Sequence, residues 1–141
     1  MGQTVNNLRW KRSCRVVLLA ATILSSGFLL AQAQEIPIMV EPPHPMEGQD
    51  VTLTPGGKPA FILCIWYRGE KAEANRIFVY IPSTSPPVQR NGPAFTGRET
   101  GDPGCSLNIG SLMLNDTGDY VVSKSAIGGR ETGRVHIGVL G

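Results

Sequence analysis

Few residues of this 141-residue chain have the chemistry for catalysis, and none stands in an arrangement that would use it. The candidate nucleophiles and bases are three thiols (Cys14, Cys64, Cys105) and two imidazoles (His44, His136). Cys64 lies between Leu63 and Ile65. No basic residue close in sequence would lower its pKa, so it reads as an inert or oxidised thiol. His136 alternates with Val135 and Ile137, an outward position on a strand. The thiols and imidazoles have no ligand-pair spacing, which argues against zinc. No G-x-S-x-G, H-E-x-x-H or phosphate-cradling glycine loop is present. The expectation is a protein that is not an enzyme and needs no cofactor and no metal. One group does carry chemistry. Asn115-Asp116-Thr117 is an N-glycosylation sequon beside a surface turn, so either Asn115 carries a glycan or it is a bare turn residue.

The elements that position these residues are strands. Apolar residues nowhere recur at helical spacing over three turns after residue 33. Short alternating or β-branched runs recur instead, between Gly, Pro, Asn and Asp clusters, the pattern of an all-β sandwich or barrel. The expected strands are Ile36–Val40, Asp50–Thr54, Phe61–Tyr67, Arg76–Ile81, Phe95–Thr100, Ser106–Ile109, Asp119–Lys124 and Arg134–Leu140. Pro37 and Pro42, Pro43 and Pro45 confine the first to an edge or to irregular structure. Pro82–Pro93 reads as a long, exposed, adaptable connection.

Three features fall in the order a variable-type immunoglobulin sandwich requires. Trp66 stands in the third main strand, where a Trp fills the centre between two sheets. Asp116-Thr117-Gly118-Asp119-Tyr120 is the D-x-G-x-Y corner, in which the Tyr hydroxyl bonds back to the backbone. Arg98, eighteen residues before Asp116, is placed for an ion pair closing the base of the domain. The fold expected is therefore a two-sheet Greek-key sandwich of immunoglobulin V-set type.

Several short runs make the likeness more specific. Trp66-Tyr67-Arg68-Gly69-Glu70, Asn75-Arg76, Gly92-Pro93-Ala94, Thr96-Gly97-Arg98-Glu99-Thr100, Asn115-Asp116-Thr117-Gly118 and Thr132-Gly133 resemble, in order, segments of the amino-terminal domain of the carcinoembryonic-antigen cell-adhesion (CEACAM) family. The resemblance implies adhesion-type recognition through the GFCC′ sheet, with a homophilic or heterophilic immunoglobulin-family protein as partner. It also accounts for an absence. Pro55 and Val122 occupy the positions of the usual inter-sheet cysteines, a trait of this family's amino-terminal domain.

Two cysteines remain in the domain. Cys64 shares the inward face with Trp66, and Cys105 shares that of Leu107. In the variable-type arrangement their strands start at the same end of the sandwich in opposite sheets. Either a relocated inter-sheet disulfide joins them, stabilising by roughly 3–4 kcal/mol, or they are two buried thiols acting as small hydrophobes. An oxidising compartment favours pairing.

Export is expected from the first 33 residues. Arg9, Lys11, Arg12 and Arg15 precede an apolar run from Val16 to Ala31, which ends in Ala31-Gln32-Ala33. That order describes a secretory signal with cleavage after Ala33. The apolar run is shorter than the ~20 residues of a membrane span. The expected domain is then 34–141, secreted or displayed on the extracellular face of the plasma membrane, with no membrane span of its own. The signal takes four of thirteen basic residues and none of eleven acids, so the formal charge moves from +2 to −2. A nucleic-acid partner loses its support with that change.

The binding face expected by alternation bears Leu63, Ile65 and Tyr67, opposite inward Ile62, Cys64 and Trp66. Ser123 and Ser125 would lie beside it, with Arg68 where the family carries Lys. Three apolar or aromatic groups in one outward row exceed scattered exposure. The alternative is that the Pro55–Pro59 loop covers Leu63 and Ile65. Small Ser123, Ser125 and Ala72 stand where family adhesive faces carry larger groups, which bears on homophilic strength. A self-assembling structural component and a soluble ligand of an immune receptor are the alternative roles.

Overall fold

A computed structural model describes residues 34–141; the expected signal segment 1–33 lies outside the described residues. Among the described residues, ten strands form two sheets. The larger has the order β1 (Gln34–Glu35), β10 (Gly129–Ile137), β9 (Gly118–Ala126), β4 (Leu63–Arg68), β5 (Arg76–Ile81) and β6 (Val88–Asn91). The smaller has the order β2 (Ile38–Glu41), β3 (Val51–Pro55), β8 (Leu107–Ile109) and β7 (Glu99–Gly101). The chain crosses between sheets after β1, β3, β6 and β8, a Greek-key path in an all-β sandwich.

Alternation explains the core. Val51 and Leu53 of β3 and Leu107 and Ile109 of β8 face Cys64 and Trp66 of β4, Phe78 and Tyr80 of β5, and Tyr120 and Val122 of β9. Trp66 is fully buried, and its indole nitrogen donates to the Cys105 carbonyl at 2.9 Å, so the polar edge of the largest core side chain is satisfied. Cys64 and Cys105 are bonded to each other, with Cα atoms 5.9 Å apart.

Several boundaries differ from the sequence expectation. The opening strand is split at Pro37, which lacks an N–H: β1 pairs parallel with β10, then β2 pairs antiparallel with β3. Gly133 permits the first pairing, because a Cβ there would stand 2.7 Å from the Ile36 carbonyl oxygen. Within the expected 82–93 connection, Val88–Asn91 forms strand β6 on β5. The last strand begins at Gly129 instead of Arg134, in a nine-residue antiparallel pairing with β9. The expected strand from Phe95 is reduced to β7 at Glu99–Gly101.

Ile62, expected inward, is 50% exposed. It precedes β4 and lies past the disulfide end of the packed core. There it lines an open groove with Pro59, Phe61, Ala126 and Ile127.

Candidate binding face

The pairing register of the large sheet lays its outward residues in rows. One row reads Arg130, Ser125, Leu63; the next reads Thr132, Ser123, Ile65, Val79, Arg90; the third reads Arg134, Val121, Tyr67, Arg76. Leu63, Ile65 and Tyr67 are each partly exposed, as are Val79 and Ile81. They form an apolar column along β4 and β5 with arginines at both flanks.

The loop after β3 leaves this column uncovered. Lys124, inward on β9 and buried, donates from Nζ to the carbonyl oxygens of Gly56 (3.1 Å) and Lys58 (2.6 Å). Glu131 accepts from the Lys58 N–H at 3.2 Å. These bonds hold the loop over the inner end of the sandwich.

Two expected face residues change role. Ser123 is only 4% exposed, walled in by its larger neighbours, and so forms the floor of the face. Arg68 is not on the face. It lies two residues beyond Trp66 and opposite Tyr120, on the inward side of β4. Its Nη1 donates to Asp116 at 3.0 Å and to the Tyr120 hydroxyl at 2.5 Å, and its Nη2 pairs with Glu99. Arg98 grips the same Asp116 carboxylate with two bonds, of 2.7 and 2.9 Å. Tyr120 donates its hydroxyl to the Asp116 carbonyl oxygen at 2.6 Å, completing the corner. Burial pushes the Tyr120 hydroxyl up to about 12, so it remains a donor. Burial also works against ionised Asp116. Hydrogen bonds from Arg98 and the Met113 N–H, with the charges of Arg98 and Arg68, outweigh it and hold the carboxyl below the usual range.

The charges of the face are uneven from end to end. Near the Tyr67 row, Arg76 pairs with Glu73 at 2.6 Å, and Arg134 with Glu70 at 3.0 Å and Asp119 at 3.2 Å. His136, outward and exposed, sits 2.8 Å from Asp119. Beside the Leu63 and Ile65 rows, Arg130 and Arg90 are exposed and have no acid partner among the described residues. Burial raises the Tyr67 hydroxyl pKa and Glu73 adds to it, against the lowering effect of Arg76 and Arg130.

The two-sheet order, buried Trp66 and Tyr corner coincide with a match of residues 41–140 to the immunoglobulin V-set domain model. The chain belongs to the immunoglobulin V-set family. Within that family it is similar to cell-adhesion molecules of the CEACAM group. Rat Cell adhesion molecule CEACAM16 is 43% identical over 103 residues, covering 72% of this chain and 24% of the relative. The mouse protein of the same name is 42% identical over the same shares. Mouse Cell adhesion molecule CEACAM5 is 31% identical over 122 residues, or 84% of this chain and 13% of that one. The V-set chain thus spans about a quarter or less of these relatives. The crystal structure of murine CEACAM1b superposes with a TM-score of 0.67 at 28% identity, over 74% of this chain and 53% of that one. A chain from the crystal structure of a mouse coronavirus receptor-binding domain complexed with its murine receptor gives 0.65 at 26% identity, over the same shares. Among the described residues, no helix is long and apolar enough to cross a membrane.

Proposed function

We propose that this V-set domain is an exported, non-catalytic recognition module whose binding face is the outer surface of the six-stranded sheet, centred on Leu63, Ile65 and Tyr67. The observation that carries the reading is the continuous, uncovered apolar column along β4 and β5. Water-facing leucine, isoleucine, valine and tyrosine in adjoining rows are costly unless a partner covers them. Tyr67 is a suitable anchor, since its ring buries much area while fixing two torsions.

The charge pattern favours a second copy as that partner. In an antiparallel two-fold pairing, the Arg130 and Arg90 half of one face meets the half of the other that bears Glu70 and Glu73, whose side chains are 76% and 74% exposed. A self-complementary patch is what an isologous contact requires. Ser123 and Ser125 leave the centre shallow, so weak, reversible adhesion-type contact is expected. The heterophilic reading has its own support: the same unpaired arginines fit an acid-rimmed protein surface, and one structural neighbour comes from a complex of a mouse coronavirus receptor-binding domain with its murine receptor. Two further features belong to the proposal: the secretory signal 1–33, and N-linked glycosylation of exposed Asn115.

A bead assay tests the reading. Beads coated with the domain should cluster, and beads coated with Ile65→Asp should not, with both proteins folded by circular dichroism. Clustering that Ile65→Asp leaves intact would place adhesion elsewhere on the domain.

A further inference from the structure

Asn115 stands on a single 3-10 turn, Leu114–Asp116, and is exposed. Asn115-Asp116-Thr117 is the single sequon in the chain. Beside it lies an open groove of about 270 Å³ lined by Arg68, Thr96, Arg98, Met113, Asn115 and Asp116. Its walls mix apolar and hydrogen-bonding surface. Met113 is 48% exposed, so a thioether chain lies open to water. The Thr96 hydroxyl donates to Glu99 at 2.8 Å, which leaves its oxygen able to accept. Arg68 Nε is buried without a hydrogen-bond partner among the described residues.

We infer that this groove seats the innermost N-acetylglucosamine of a glycan carried by Asn115, so that the first sugar is a packed part of the fold. The inference rests on the proposed glycosylation and goes beyond it by giving the sugar a docking place. Attachment joins the Asn115 amide nitrogen to the anomeric carbon of a lipid-diphosphate-linked oligosaccharide. The anomeric C–O bond to the diphosphate breaks, the lipid diphosphate leaves and the amide nitrogen loses a proton. Asn115 itself lines the groove, so the first sugar is held beside it at high effective concentration. A pyranose offers a C–H face and a hydroxyl edge. The C–H face suits Met113, and the hydroxyl and acetamide groups suit Thr96 and the guanidinium edges. The Thr117 hydroxyl accepts from the Val139 N–H at 2.9 Å, which ties the sequon to the end of the chain.

The test compares three forms of the secreted domain: with its intact oligomannose glycan, trimmed enzymatically to one N-acetylglucosamine, and as Asn115→Gln. Each is treated with hydrogen peroxide, and Met113 sulfoxide is followed by peptide mass spectrometry. Met39, 69% exposed on β2, is the internal reference. Both sugar-bearing forms should oxidise at Met113 about fivefold more slowly than Asn115→Gln, with Met39 unchanged. Protection that disappears on trimming would overturn the inference, because bulk shielding by outer sugars would then be its cause. Equal Met113 rates in all three forms would overturn it while leaving the glycosylation in place. An intact mass without sugar at Asn115 would overturn both.

Discussion

The Arg68 guanidinium lies 3.0 Å from the Asp116 carboxylate, which Arg98 holds from the other side at 2.7 Å. Asp116 and Glu99 are almost wholly buried, at 2% and 1% exposure. Asp116 thus depends on two arginines, Arg68 of β4 and Arg98 of the turn before β7, and Glu99 on Arg68.

Removing one arginine should strand negative charge in the base of the sandwich. Arg68→Met is expected to lower unfolding free energy by about 3–5 kcal/mol, the range for breaking a buried ion pair from one side. Urea denaturation followed by Trp66 fluorescence reads this, with the slope unchanged. A loss under about 1 kcal/mol, the range of an exposed pair, would return Arg68 to the surface.

Acid should act through Asp116. Its carboxyl is lower in the fold than in the unfolded chain, so the unfolded chain takes up the proton first as pH falls. The stabilisation is complete above the ordinary aspartate value of about 3.9 and disappears as pH falls through the lower folded value. Asp116→Asn should be less stable at neutral pH and show a flatter decline below about pH 5. Asp119, partly exposed, is lowered too, chiefly by its hydrogen bond from His136, and contributes in the same direction. Denaturation midpoints across pH 2–7 would display the difference (~5 pH units of range).

The disulfide bridges a sequence separation of 41 residues between sheets. Replacing both cysteines by alanine should cost roughly 3–4 kcal/mol in the chain-entropy account. Thermal unfolding of the variant beside the parent measures it, and an unchanged midpoint would mean that packing around Trp66 suffices.

Lys124 predicts a local effect. Lys124→Met removes the donor to the Gly56 and Lys58 carbonyls and leaves Glu131 without its cation, 3.7 Å away. Amide exchange at Gly56, whose N–H is bound to the Pro37 carbonyl, should accelerate by at least about tenfold. Exchange at the centre of β4 should change far less.

Much of this architecture was legible from residues that do one thing wherever they occur in a sandwich. Trp66, Tyr120 and the Arg98–Asp116 spacing announce a variable-type domain, and period-two alternation from Trp66 orients Leu63, Ile65 and Tyr67. The same alternation places Arg68 inward. Its position within the family-like Trp66–Glu70 run drew it instead to the face, because a charged side chain reads as solvent-facing until its acids are known. Glu99 and Lys124 carried no local signal of burial; their partners come from other strands through pairings that sequence spacing does not reveal. Strand β6 was hidden among Pro, Ser and Asn, since an edge strand needs only backbone pairing with β5. The first half of β10 (Gly-Arg-Glu-Thr-Gly) is likewise polar and owes its form to the register with β9.

Sedimentation velocity of the domain over a wide concentration range, beside Ile65→Asp and Tyr67→Ala, tests the proposed face most directly. A reversible dimer is expected for the parent, weakened by added salt as its Arg–Glu contacts are screened. Both variants should remain monomeric with unchanged thermal stability. A parent that stays monomeric at every concentration, or variants that dimerise as the parent does, would contradict self-recognition through this sheet.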